Sequence, residues 1–288
     1  MRGMRNYTGA YRAVKLLLGA DPEIFMKNEQ GLVRSAHGVI PGTKEKPHPV
    51  PLGAVQVDGL ALEFNIEPCL TTNDWVRSIH TVMDTLQEML PPSYSLEIKG
   101  AHRFKQKYMD SLDPESLILG CDPDFNAYTA APNPSPNSAT TLRTAAGHIH
   151  FGWTEDETMD DWFFNLCCDF TKQLDLSLGA YGYFLDKDAE RKALYGRAGA
   201  FRPKPYGLEY RTMPNAWLRS EDTIRDVFSA ARFPWDDYRT NRRYSSEFPS
   251  FVVENIEPFL NMERLSDRQV IEKYLRGFLS GDYGVRVP

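Results

Sequence analysis

"TAAGHIHFG", residues 144–152, sets two histidines, His148 and His150, two positions apart in a run of small and apolar residues. Alternate side chains of an extended chain project from the same face. The stretch therefore reads as a strand with an imidazole face and an apolar face made by Ile149 and Phe151. The same division recurs along the chain. In "DPEIF", Asp21 and Glu23 share a face against Ile24; in "DGLALEFNIE", Glu63, Asn65 and Glu67 oppose Leu62, Phe64 and Ile66; in "GLEYR", Glu209 and Arg211 oppose Leu208 and Tyr210. For any one of these strands, a water-facing sheet surface explains the polar side. Taken together, the four concentrate carboxylates and imidazoles, and none of the quoted stretches contains lysine. Carboxylates brought close repel one another, so neighbouring strands of this kind call for a cation between them. Oxygen donors with an occasional imidazole suit Mg²⁺ or Mn²⁺, whereas structural zinc favours thiolates.

The strand candidates "AVKLLLGADPEIFMK", "AVQVDGLALEFNIEP", "YSLEIKG", "AAGHIHFGW" and "YGLEYRTM" are short and bounded by Gly or Pro. Helical spacing is clearest over 73–90, ahead of Pro91-Pro92, and recurs near 160–178, 221–231 and 266–279, giving four expected helices. Helices and strands do not alternate regularly. The expected class is α+β: a mainly antiparallel sheet with helices packed on one face. The proline-rich stretches 41–53 and 129–140 read as long loops, of the kind that often serve as lids or binding loops. No linker is visible, so 1–288 is expected to form one domain.

Composition sets further bounds. A chain of 288 residues with 42% hydrophobic content can bury a substantial core, and a net charge of -6 provides no global basic field for nucleic acid. The aromatic and arginine-containing stretch 233–251, with Arg239, Arg242 and Arg243, reads as a surface loop. Cys69, Cys121, Cys167 and Cys168 form no C-x-x-C pair and read as reduced thiols, with Cys167 and Cys168 in the core of a helix. The short apolar run near the N-terminus meets Asp21 and Glu23 at once, as a first strand does and a signal peptide does not. No run is long enough to span a membrane. A soluble, cytoplasmic protein is expected.

The stretch "ERKALYGRAGAFRPKPYGLEYR", 190–211, carries Arg191, Lys192, Arg197, Arg202, Lys204 and Arg211 among glycines and ends on the strand bearing Glu209. A solvated basic loop is the ordinary reading of such a cluster. Beside metal-binding carboxylates, however, it has what a polyphosphate requires: close backbone approach, guanidinium forks and a bridging metal. ATP is the inferred ligand.

In this order, "GADPEIF", "DGLALEFN", "GCDPDFNAY", "AAGHIHFG" and "YGRAGAFRPKPYGLEYR" resemble the phage-type carboxylate-amine ligases, relatives of glutamate-cysteine ligase and glutamine synthetase, over about residues 15–215. The resemblance implies a glutamine-synthetase-type catalytic fold, a curved antiparallel sheet whose concave face binds ATP and divalent metals, with helices behind it. It also implies metal-ligand roles for Glu23, Glu63, His148 and Glu209, with Asp58 and His150 as further candidates, and a phosphate-facing role for Arg211. Ala146 stands where the family pattern has a glycine. The segment 220–288 matches no motif and is expected to be a helical extension packed on the domain. "GCDPDFNAY" suggests a substrate loop around Asp122, Asp124 and Asn126. A phage origin would put the protein in the host cytoplasm, and relatives in the wider superfamily often assemble into oligomers.

The expected reaction has two steps. A carboxylate attacks the γ-phosphate of ATP to give an acyl phosphate, and an amine then displaces phosphate to form an amide or isopeptide bond. Arg191, Arg197, Arg202, Lys204 and Arg211 are the candidates to hold the nucleotide or departing phosphate. Asp58 or Glu67 would take the proton from the incoming ammonium. Three alternatives stay open: a metal-dependent amide hydrolase, which normally needs more histidines than the H-x-H pair; a guanidino-type kinase, which stops at phosphoryl transfer; and a noncatalytic ligand-binding protein. The carboxylate and amine substrates are small molecules or peptides that the sequence does not identify.

Overall fold

A computed structural model describes residues 15–117, 124–134, 140–154, 157–239, 244–281 and 284–288. Residues 1–14, Cys121, Asp122, Arg242, Arg243 and the 135–139 portion of the second proline-rich loop lie outside them.

The strands are β1 (Leu17–Asn28), β2 (Val33–Arg34), β3 (His48–Val50), β4 (Gly53–Asp58), β5 (Ala61–Ile66), β6 (Tyr94–Glu97), β7 (Ala101–Arg103), β8 (Phe125–Asn126), β9 (Ala131–Pro132), β10 (Leu142–Thr144), β11 (Gly147–Gly152), β12 (Ala200–Lys204) and β13 (Gly207–Tyr210). Eleven form one sheet in the order β3-β4-β5-β1-β11-β13-β12-β8-β9, with β2 and β6 also paired to β1; β7 and β10 pair separately. Every pairing is antiparallel. The expected mixed architecture is therefore present. The first strand is centred where the polar-apolar alternation of "DPEIF" put it.

Two strand expectations need correction. "AVQVDGLALEFNIEP" is a hairpin, because Asp58 pairs with Ala61 and leaves Gly59–Leu60 as a two-residue turn. Gly59 has φ 56°, the positive value that a type II′ turn needs at its first central position. The basic stretch before Glu209 contains a strand of its own, β12: Phe201 is fully buried while Arg202 and Lys204 alternate onto the other face.

The helices are α1 (Thr72–Met89), α2 (Gln106–Met109), α3 (Asp161–Leu174), α4 (Ala180–Leu185), α5 (Ala189–Leu194), α6 (Glu221–Arg239), α7 (Ser250–Leu260) and α8 (Arg268–Gly281). The Thr71 side chain caps α1 by accepting from the Asp74 N–H, and Leu90 before Pro91 ends it. A π-helical turn, Asp175–Gly179, joins α3 to α4. Helix α6 runs well past the expected 231 and takes in 233–239, which had read as loop. Pro234 costs it a backbone hydrogen bond, but Trp235, 3% exposed, stacks on Trp153 with ring centroids 5.4 Å apart. Helix α7 was not expected, since Pro249 and Pro258 disguise its apolar spacing.

The long helices α1, α3, α6, α7 and α8 meet the sheet's apolar face, while the short α2 packs on the other side. Ile24, Leu62, Phe64, Ile149, Phe151, Phe201, Leu208 and Tyr210 join Trp75 and Ile79 of α1, Cys167 and Phe170 of α3, and residues of α6, α7 and α8 in one continuous core. Cys167 and Cys168 are buried free thiols, as expected. A smaller cluster around Phe25, Leu60, Phe104 and Ala145 lies at one end of the opposite face. Among the described residues, no helix is long and apolar enough to cross a membrane.

Candidate active site

The pairing register gathers the polar faces. Asp21 lies opposite His148 across β1 and β11, and His150 lies opposite Glu209 across β11 and β13. Glu209 in turn faces Arg202 on β12, while Glu23 faces Glu63, which faces Gln56 on β4. These side chains share the sheet face away from the helices. There all but the buried Glu209 line a cleft of about 620 Å³ that also receives Asp58, Arg143, Tyr195, Lys204, Tyr206 and Arg211.

One end of this array is basic. Glu209, 1% exposed, forms the floor, with its carboxylate held by Arg202 at 3.0 Å, by Lys204 at 3.3 Å and by Arg211. Arg211 also reaches Asp124 at 3.1 Å and lies against the Tyr195 ring. In the middle, Asp21 Oδ1 is 2.8 Å from His150 Nε2 and 3.5 Å from His148 Nδ1. The tyrosine hydroxyls fix both rings from behind, Tyr195 at 3.1 Å from His148 Nε2 and Tyr206 at 2.5 Å from His150 Nδ1. At the far end stand Glu23, Glu63 and Asp58. Glu23 accepts from the Ala146 N–H at 2.9 Å and Glu63 from Gln56 at 2.7 Å. The residue replacing the expected glycine thus contributes only its backbone.

The electrostatics follow from this distribution. Burial and the neighbouring Asp58 charge push Glu23 up to about 8. Burial, then the charges of Asp21, Glu23 and Asp58, raise Glu63 well above the usual carboxylate range, and burial also raises Asp58. Burial works against Asp21 too, but the flanking histidines outweigh it and hold Asp21 well below its ordinary value. Burial and Arg211 lower His148, which favours the neutral imidazole that can ligate a metal. For His150, burial is overcome by the Asp21 carboxylate and the pKa rises, so this ring serves Asp21 as an ion-pair partner.

Donor atoms of Asp21, His148 and Glu209 lie within 4.8 Å of one another, close enough to share an ion. Glu23, pushed up to about 8, carries a proton near neutrality that a cation would displace, and Glu63 beside it is raised in the same direction. This donor set fits a hard divalent ion.

Of the residues singled out in the sequence, Glu23, Asp58, Glu63, His148, His150, Arg202, Lys204 and Arg211 line the cleft, with Glu209 beneath them. Three lie elsewhere. Glu67 follows the last residue of β5 and is exposed, because the alternation ends with the strand at Ile66. Arg191 is fully buried on α5, tied to Asp186 at 2.9 Å and packed so closely under Gly196 that a Cβ there would sit 2.6 Å from its guanidinium. Arg197 points outward toward Glu263, at 3.7 Å. Sequence reasoning had not assigned roles to Asp21, Arg143, Tyr195 or Tyr206. Asp21 carried the clearest signal, two residues before Glu23 on the same face.

Residues 143–252 match the family model described as phage phiEco32-like COOH.NH2 ligase-type 2. This segment bears the signature of a carboxylate-amine ligase family, the one the motifs resemble. The match includes His148, His150, Arg202, Glu209 and Arg211, while the β1 and β5 carboxylates lie before it. No curated protein matches the sequence. Among solved structures, the crystal structure of a bifunctional glutathione synthetase from Pasteurella multocida matches with 11% identity and a TM-score of 0.45, covering 99% of this chain. This chain spans 47% of that one.

Proposed function

We propose that this protein is an ATP-dependent carboxylate-amine ligase that joins its substrates through an acyl phosphate, on a sheet of glutamine-synthetase type within one catalytic domain. The observation that carries the reading is the cross-strand array, in which a basic end and a carboxylate end flank Asp21 and His148 in one cleft. The family match over residues 143–252 supports the reaction class.

Asp21, His148, Glu23 and Glu63 would hold a divalent ion, Mg²⁺ or Mn²⁺, with Glu209 within reach. Such an ion supplies positive charge between a carboxylate nucleophile and phosphate oxygens, which otherwise repel. Arg202, Lys204 and Arg211 would hold the phosphate oxygens, exchanging part of their contact with Glu209 for contact with the ligand. The substrate carboxylate attacks the terminal phosphoryl group and ADP leaves. The amine then attacks the activated carbonyl and inorganic phosphate leaves. The incoming ammonium must first lose a proton. Asp58, which lines the cleft and is raised above the ordinary carboxylate value by burial, is the base this geometry supports; Glu67, outside the cleft, is not. The rival amide hydrolase loses support because His37, His48, His80 and His102 are absent from the cleft lining.

The test is a phosphate-release screen with ATP and Mg²⁺ against pooled amines and carboxylates, followed by mass detection of a product one water lighter than its two precursors. Amide cleavage without nucleotide would establish the hydrolase instead, and a stable phosphorylated product would establish a kinase.

A further inference from the structure

Arg143 sits on β10, immediately before the segment that leads into β11, and lines the cleft while only 5% exposed. Its guanidinium donates to the backbone carbonyls of Thr140, Leu142 and Leu117, and its Nε is buried without a hydrogen bond. Among the described residues no carboxylate lies within ion-pair distance of it. Arg202, Lys204 and Arg211 differ in that each is paired with Glu209. Burial alone depresses the Arg143 pKa, with no acidic group opposing it. A cation withdrawn from water without a counter-ion is costly, and Arg143 lines a cleft that an anion can enter.

The position says which anion. Arg202 and Lys204 lie across from the C-terminal half of β11, through the pairs Arg202–Glu209–His150 and Lys204–Gly207–Gly152. Arg143 lies off the N-terminal end of the same strand, beyond Glu23, whose carboxylate accepts from the Ala146 N–H. At about 3.3 Å per residue, the two cationic ends are separated by most of the length of β11, with the carboxylate array between them. The walls at the Arg143 end, Phe25, Leu60, Leu142, Ser116 and Thr144, combine apolar side chains with two hydroxyls, and Asp58 and Lys44 line the cleft beside Leu60. That is a pocket for the body of an organic acid, unlike the basic end suited to phosphates.

Building on the ligase reading, we propose that Arg143 binds a second carboxylate of the acid substrate, so that the enzyme takes dicarboxylic or amino-dicarboxylic acids, or a peptide end presenting both groups. The guanidinium would fork onto the non-reacting carboxylate while the reacting one reaches toward Glu23, Glu63 and Asp21. Arg143 is then a specificity residue.

The experiment is calorimetric titration of the full chain, in Mg²⁺ and a nonhydrolysable ATP analogue, with α,ω-dicarboxylates from succinate to pimelate, the monocarboxylates of equal length, and inorganic phosphate. Wild type, Arg143→Gln and Arg143→Lys are compared. At least one dicarboxylate should bind about tenfold to hundredfold more tightly than its monocarboxylate partner. Arg143→Gln should abolish the preference, and Arg143→Lys should retain part of it. The inference is overturned if no dicarboxylate is preferred, if the preference survives in Arg143→Gln, or if phosphate competes at this position as well as the dicarboxylate does. Should Arg143→Gln fail to fold, the Arg143→Lys comparison and the wild-type selectivity decide. Binding of the nucleotide analogue is scored separately. Its absence would count against the ligase reading, while loss of selectivity with nucleotide still bound would count against Arg143 alone.

Discussion

Glu23→Gln isolates the cost of crowding acids without a cation. In the folded chain Glu23 is raised from its ordinary value, 4.5, to about 8. Between those limits the native state holds a proton that the unfolded state has released. Stability is therefore fully present below pH 4.5 and is withdrawn as pH rises through the window, by about 1.4 kcal/mol per pH unit for one such group. Across the whole window that is on the order of 5 kcal/mol; since Glu23 keeps partial access to cleft water, about 2–4 kcal/mol is the working expectation. Glutamine keeps an oxygen for the Ala146 N–H and removes the titration. Urea unfolding without metal at pH 5.5, 6.5, 7.5 and 8.5 should show wild-type stability falling with pH and the Glu23→Gln curve falling less. The gap between them should be widest at the alkaline end. Millimolar Mg²⁺ should restore wild type at pH 8.5 by favouring the ionised carboxylates and should help the variant less. Parallel pH curves for the two proteins would refute the placement of Glu23 in a cation-poor cluster.

The other expectations concern catalysis and the scaffold. Glu63→Ala or His148→Ala should lower condensation by about two orders of magnitude or more with circular dichroism unchanged; normal turnover by a folded variant would remove that residue from the site. Asp175 accepts hydrogen bonds from Tyr210, Tyr128 and the Gly199 N–H, so Asp175→Asn should cost about 2–3 kcal/mol in denaturant unfolding, as donors are left without an acceptor. Arg191→Met should cost about 3 kcal/mol by leaving Asp186 uncompensated, yet leave calorimetric nucleotide affinity as in wild type.

What could be read from the sequence was whatever alternation alone determines. β1, β11 and β13 each bury one face, so assigning Ile24, Ile149 and Leu208 to the core fixed the side on which Glu23, His148 and Glu209 emerge. Alternation gives a residue's face and not the end of a strand. Glu67 was grouped with Glu63 on period alone, and it leaves the cleft because β5 stops one residue earlier. The Asp58-Gly59 pair marked a hairpin turn that a continuous reading of the stretch passed over. Charge clusters carry still less direction: the 190–211 segment bears six cations, yet α5 turns Arg191 inward and the turn bounded by Gly196 and Gly199 sends Arg197 outward. Arg143 gave no signal, since the lack of an opposing carboxylate among the described residues becomes visible only when its surroundings are known.

The charge arrangement also distinguishes between two places for a metal. Asp21, His148 and Glu209 are the tightest donor group, but three cations already neutralise Glu209. An ion there would compete with guanidinium and ammonium groups at contact distance. Glu23 and Glu63 have no cation in contact: Gln56 and a backbone N–H are their hydrogen-bond donors, and burial, with the neighbouring carboxylates, raises both acids, Arg211 offsetting only part of the effect on Glu23. Asp21 stands between the two positions, next to Glu23 on the same strand face and opposite His148. The energetically favoured first ion would therefore be held toward Glu23, Glu63 and Asp21. Occupation nearer Glu209 requires that Arg202, Lys204 or Arg211 first turn to another anion, and the phosphates of a nucleotide provide one. In this cleft, phosphate binding would free the second metal position by drawing the cations off Glu209, so nucleotide and second-metal affinities should rise together.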